Sequence, residues 1–165
     1  MKKFLALLFL VLLALPAGAA VKEFDGFTID VPRGWTAEAE DGDVYVADKD
    51  ETAMLAITYI GKADDKQFNE VVNEFVSSNE IDQSKVTGYP GGYAMPVDMD
   101  GEEGTAYIFR RGGVLFMVAS FGGAPALGRI LDSLTPTERE EEDEGDRGAG
   151  GQQGTPTLLE LSTPT

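Results

Sequence analysis

Phe27, Ile29 and Val31 alternate with polar residues, the period of a strand with one buried face. Pro32-Arg33-Gly34 interrupts the run, because proline has no N–H to give to a ladder. Trp35, Ala37 and Ala39 resume the alternation up to Asp41-Gly42, a pair suited to a two-residue hairpin turn. Val44 and Val46 carry the return strand, and Asp48 to Glu51 form a polar turn. Ala53 to Ile60 is nearly continuously apolar, as expected of a central strand.

The period then changes. Phe68, Val71, Val72 and Phe75 fall at helical spacing and predict an amphipathic helix over 65–78. Asp64 is placed to cap it, with Gln67 three residues on as the reciprocal partner. Strands return at Lys85 to Gly88 and at Gly92 to Met99, which leads into a turn over Asp100 to Gly104. Thr105 to Arg110 and Val114 to Phe121 form a hairpin about Arg111-Gly112-Gly113. Val114 to Ala119 is apolar throughout and is expected to be buried on both faces. Pro125 suits the first turn of a second helix, in which Leu127, Ile130, Leu131 and Leu134 repeat the helical spacing. Strands grouped around two helices in this order predict an α+β fold, with a central antiparallel β-sheet flanked by helices.

Both ends read differently. Met1-Lys2-Lys3 precedes an unbroken apolar run from Phe4 to Leu15, then Pro16 and the small residues Ala17-Gly18-Ala19. That three-part layout is a secretory signal peptide, and the run is shorter than the about 20 residues needed to span a bilayer. Cleavage is expected after Ala19, with Ala20 as the second choice. At the other end Glu138 to Asp146 reads EREEEDEGD and Gly148 to Gly154 reads GAGGQQG, too little apolar surface to offset the entropy of ordering. The expected organisation is a signal peptide over 1–19, one α+β domain over 20–134, and a disordered acidic, Gly-rich tail over 135–165. Leu158, Leu159 and Leu161 near the end form either a solvated terminus or a short docking motif.

Composition narrows the chemistry. With no Cys there is no disulfide, thiolate nucleophile, lipidation point or thiolate metal site. With no His the usual general base and the commonest transition-metal ligand are missing, so a Ser–His–Asp machine cannot be assembled from this chain. The 13 Lys+Arg and 29 Asp+Glu give a formal charge of −16, and removal of Lys2 and Lys3 with the signal peptide takes it to −18. A field of that sign argues against a nucleic-acid partner.

The segment Phe27-Thr28-Ile29-Asp30-Val31-Pro32-Arg33-Gly34-Trp35 resembles the opening signature of the PsbP-like superfamily, which includes the photosystem extrinsic protein PsbP and the bacterial DcrB-like proteins. A central helix, two C-terminal hairpins and a last helix ending in Ile130-Leu131-Asp132-Ser133-Leu134 extend the resemblance over about residues 23–134. It implies an α/β/α sandwich and a binding or assembly role with no enzyme activity. Metal sites attributed to the photosystem protein involve His and are not carried over.

Asp98, Asp100, Glu102 and Glu103 surround Gly101 in one turn, where alternate oxygen ligands could hold calcium, although the spacing is not that of an EF-hand loop. Tyr89-Pro90-Gly91-Gly92-Tyr93 sets two aromatic side chains on a Gly/Pro loop, a rigid contact surface if both face one way. Trp35 either covers the edge of the core or stacks on a ligand. The leading expectation is an exported, non-catalytic binding or assembly domain, periplasmic or secreted, that contacts a protein or envelope component and needs no cofactor. Tyr89, Tyr93 and Trp35 are its candidate contacts. The alternative is a small-molecule or divalent-cation binder.

Overall fold

A computed structural model describes residues 18–137. Most of the expected signal peptide, all of the acidic run from Glu138 and the leucines at 158–161 lie outside the described residues. The described chain is a mostly-sheet α+β fold with two helices and two antiparallel sheets.

Strands β1 (Ala20–Phe24), β2 (Phe27–Val31) and β10 (Thr135–Pro136) form a small sheet in the order β1-β2-β10. Seven strands form the main sheet: β3 (Trp35–Glu40), β4 (Asp43–Asp48), β5 (Met54–Lys62), β6 (Thr87–Tyr89), β7 (Gly92–Met99), β8 (Glu102–Arg111) and β9 (Val114–Phe121). Their order is β3-β4-β5-β9-β8-β7-β6, so β3 and β6 are its two edges. Three hairpins, β3–β4, β7–β8 and β8–β9, close on two-residue turns, Asp41-Gly42, Asp100-Gly101 and Gly112-Gly113. All six residues take positive φ, from 51° to 93°, which matches the right-handed twist of the strands they join.

Helix α1 spans Asp65–Ser78, as the spacing predicts. Asp64 and Gln67 form the reciprocal capping box: the Asp64 carboxylate accepts from the Gln67 N–H at 2.8 Å, and the Gln67 side chain accepts from the Asp64 N–H at 3.0 Å. Helix α2 spans Pro125–Ser133 and buries Ala126, Leu127, Ile130 and Leu131.

Alternation along the strands separates two apolar clusters on opposite faces of the main sheet. On one face Val44, Val46, Leu55, Ile57, Phe109, Phe116 and Val118 pack with β2 (Phe27, Ile29, Val31) and with α2. On the other, Met95, Ala106, Ile108 and Leu115 pack under Phe68, Val72 and Val76 of α1. Gly122 is fixed by close approach: a Cβ there would lie 2.2 Å from the Thr52 carbonyl oxygen.

Three details differ from the sequence reading. Ala20–Phe24 is a strand that the pattern did not announce, because four of its five residues are exposed and only pairing with β2 makes it one. The expected strand at 85–88 is a 3₁₀ turn over Gln83–Lys85, capped by the Asp82 carboxylate, followed by β6. The domain runs past Leu134: Thr135 and Pro136 pair with Thr28 and Phe27, and the Thr137 N–H reaches the Gly26 carbonyl at 2.9 Å.

Candidate functional site

The three aromatic candidates do not meet. Trp35 lies half-buried on edge strand β3 against the larger cluster, and Tyr89 lies on the opposite edge, β6. Six strand spacings separate those edges, about 29 Å along the sheet. Tyr89 and Tyr93 flank the Pro90-Gly91 turn, but Tyr89 pairs with Gly92 and Tyr93 with Gly88, which sends the two rings to opposite faces. The single contact surface that the Gly/Pro loop suggested is therefore not formed.

Tyr89 meets Tyr107 and Phe109 edge-to-face at 5.0 and 5.2 Å. Its hydroxyl is buried without a hydrogen-bond partner, and burial pushes the phenol above its ordinary pKa while the nearby Arg111 guanidinium pulls it back. Tyr93, 38% exposed, stacks on Phe68 of α1 with centroids 6.0 Å apart. The Arg110 guanidinium sits over that Phe68 ring at 5.1 Å, bonds the Ala63 carbonyl at 3.2 Å and pairs with Asp65. These contacts fasten α1 and the β6–β7 hairpin to the sheet.

In the β7–β8 turn the Asp98 carboxylate accepts the Gly101 N–H at 2.9 Å and so shapes the hairpin itself. Among the described residues no three acidic side chains gather into a set that could hold a metal ion.

The site that the structure does present is a half of the sheet. On the α1 face, cross-strand rows run from edge to centre: Thr36–Ala47–Met54–Phe121, Glu38–Tyr45–Ala56–Ala119, and Glu40–Asp43–Thr58–Met117. The second and third of these rows continue into β8 and β7 through Ala106, Met95 and Ile108, which α1 buries to 1% exposure or less, while the first continues through Gly104 and Val97. On β4, β5 and β9, by contrast, Tyr45, Ala47, Met54, Ala56, Thr58, Met117 and Ala119 are only half-buried. Val114 to Ala119 is thus not sealed on both faces throughout: on the α1 face Met117, at the margin of the cluster under α1, and Ala119 beyond it are only half-buried.

At one end of this open half is a depression of about 390 Å³, walled by Thr36, Glu38, Tyr45, Ala47, Met54 and Phe121 and rimmed by Glu51, Thr52 and Glu102. Among the described residues no basic side chain lines it. The Thr58 hydroxyl donates to Asp43 at 2.7 Å. The Tyr45 phenol is pushed above its usual pKa first by burial, then by the carboxylates of Asp43, Glu40 and Asp41. The surface is therefore apolar in its floor and negative at its border. The sequence carried one trace of it: Tyr45 and Ala47 stand where an exposed strand face would be polar, and Ala53–Ile60 is apolar on both faces.

Among the described residues no helix is long and apolar enough to cross a membrane. No family model matches the chain, and no curated protein is significantly similar to it in sequence. The solved structures similar in fold include the following two. A crystal structure of a protein from Bacteroides thetaiotaomicron VPI-5482 matches over 77% of this chain with a TM-score of 0.51 and 14% identity. The chain spans about half of that protein, 51% of its length. The solution structure of cyanobacterial PsbP (CyanoP) from Synechocystis sp. PCC 6803 matches over 75% of this chain and 95% of its own, with a TM-score of 0.47 and 14% identity. At such identity the Bacteroides match speaks for a shared fold and not for an activity.

Proposed function

We propose that this chain is an exported, non-catalytic binding or assembly domain of the cell envelope, periplasmic or secreted, and that it docks a protein or envelope component on the open half of its main sheet. The observation that carries this reading is the contrast across one face: Met95, Ala106 and Ile108 are sealed under α1, while Tyr45, Ala56 and Ala119, on the row that Ala106 and Met95 continue, and Met54 in the next row are only half-buried. Contiguous apolar surface of this kind, bordered by polar groups, marks interaction sites on soluble domains. Export is supported by the layout of Lys2 to Ala19, and β1 begins at Ala20, the first residue after the expected cleavage point. The finer architecture belongs to the same proposal: an α/β/α sandwich of the PsbP-like kind, supported by apolar clusters on both faces of the sheet.

The test is site-specific photocrosslinking in cells that export the protein. A photoreactive residue at Tyr45 is expected to give a discrete adduct, and one at the exposed Arg129 of α2 none. Equal yields from both positions, or none from Tyr45, would refute the docking face.

A further inference from the structure

The open half-sheet also says what kind of partner fits it, an inference that rests on the docking reading above. We infer that this surface seats a cationic amphipathic helix of a partner protein, its apolar stripe on Tyr45, Ala47, Met54, Ala56 and Ala119 and its Lys or Arg side chains against the acidic border.

Shape argues for a helix. The uncovered strip runs from β3 across β4 and β5 to β9, about 14 Å between its outer strands. A helix with its side chains is about 10–12 Å across. The neighbouring strip of the same face already carries α1. Alanines at 47, 56 and 119 keep the floor low, so a helix can approach closely, while Tyr45 and Met54 offer adaptable apolar walls.

Charge selects the partner's sign. Glu38, Glu40, Asp43, Glu51 and Glu102 border the strip, and Asp43, Glu40 and Asp41 already act on the Tyr45 phenol. Acidic groups spaced within a Debye length of about 8 Å repel any acidic occupant. A second copy of this chain would bring the same border and a formal charge of −16. The chain's own segment from Glu138 to Asp146 is acidic too, and an anionic lipid surface is repelled likewise. An apolar stripe flanked by Lys or Arg satisfies floor and border together, since complementary potentials steer encounter and fix register.

The test uses the mature full-length protein at physiological salt and an amphipathic Leu/Lys peptide as long as α1, 14 residues. Methionine-methyl NMR reads the site directly, because Met54 lies on the strip and Met95 lies under α1. Titration is expected to shift the Met54 methyl and leave Met95 in place. A Lys/Ser peptide of equal charge, and the double variant Glu38→Lys with Glu102→Lys, are each expected to weaken binding about tenfold or more. An unmoved Met95 methyl certifies that the variant is folded. Absence of a shift at Met54, equal binding of the Lys/Ser peptide, or indifference to the charge reversals would each overturn the inference. So would a Met54 shift caused by deleting residues 138–165, which would make the tail the occupant. Crosslinking from Tyr45 that persists while the peptide fails would leave the docking face standing and refute only the cationic helix.

Discussion

Ala106 and Ala119 face each other across β8 and β9 on the same side of the sheet, yet Ala106 is 1% exposed and Ala119 only half-buried. The two residues are chemically identical and a strand spacing apart, so the difference lies in what covers them. Phe68, Val72 and Val76 of α1 cover Ala106 and its neighbours, and the cover ends before β9 reaches β5. That boundary divides the α1 face into a sealed half, which holds the second core, and an open half, whose residues are only half-buried.

The C-terminal edge of the domain gives a sharp test of its extent. Thr135 and Pro136 pair with β2, and Thr137 bonds the Gly26 carbonyl. A chain ending at Thr137 should melt with the full-length protein. A chain ending at Leu134 loses this strand and should melt several degrees lower by calorimetry.

Arg111 should be the more consequential of two adjacent arginines. Its guanidinium donates to the carbonyls of Leu131, Asp132 and Leu134 at 3.0, 3.1 and 2.7 Å, satisfying the C-terminal end of α2, and lies over the Phe109 ring at 5.2 Å. Arg111→Ala should cost about 1.5–3 kcal/mol in urea unfolding, since charged donors to partly buried carbonyls are lost together. Arg110→Ala should cost less, because its ion pair with Asp65 reaches a carboxylate open to solvent.

Acid should weaken the β4–β5 turn through Asp48. Its carboxylate accepts from the Thr52 hydroxyl and N–H, both at 2.7 Å, and from the Ala53 N–H at 3.2 Å. The Thr52 hydroxyl is the largest cause holding its pKa below the ordinary carboxylate value. A folded pKa below the unfolded one contributes stability above the unfolded value, about 3.9, and loses it as pH falls through the folded value. The stability difference between the native protein and Asp48→Asn, followed by urea midpoint, should therefore shrink as pH falls from about 5 towards 2. A difference that stays constant would contradict this.

Calcium should leave the melting temperature unchanged at physiological salt. Asp98 is engaged by the Gly101 N–H, and the formal charge of −16 attracts divalent ions only loosely. A specific site saturated at about 100 times its dissociation constant would add about 2.7 kcal/mol, and a shift of that size abolished by Asp100→Asn would favour the cation binder.

Much of this architecture was legible in the sequence where local rules act. The Asp64–Gln67 box and the spacing of Phe68, Val71, Val72 and Phe75 set α1, and Asp41-Gly42 set its hairpin, because each signal is contained within a few residues. β1 was not legible: Val21 is 69% exposed, and the strand exists through its pairing with β2. The separation of Tyr89 from Tyr93 follows from a register that the Gly/Pro loop alone does not specify. The open half-sheet was legible only as excess apolarity at Tyr45, Ala47, Met54 and Ala56. That pattern reads as a strand buried on both faces until the length and position of α1 are known.

The central claim, that half of this sheet face is open to solvent, is tested most directly by methionine-methyl NMR with a soluble paramagnetic agent. The Met54 methyl should relax strongly, and the Met95 methyl, 1% exposed under α1, should stay protected. Protection of Met54 equal to that of Met95 would mean that the face is already covered, and would contradict the account.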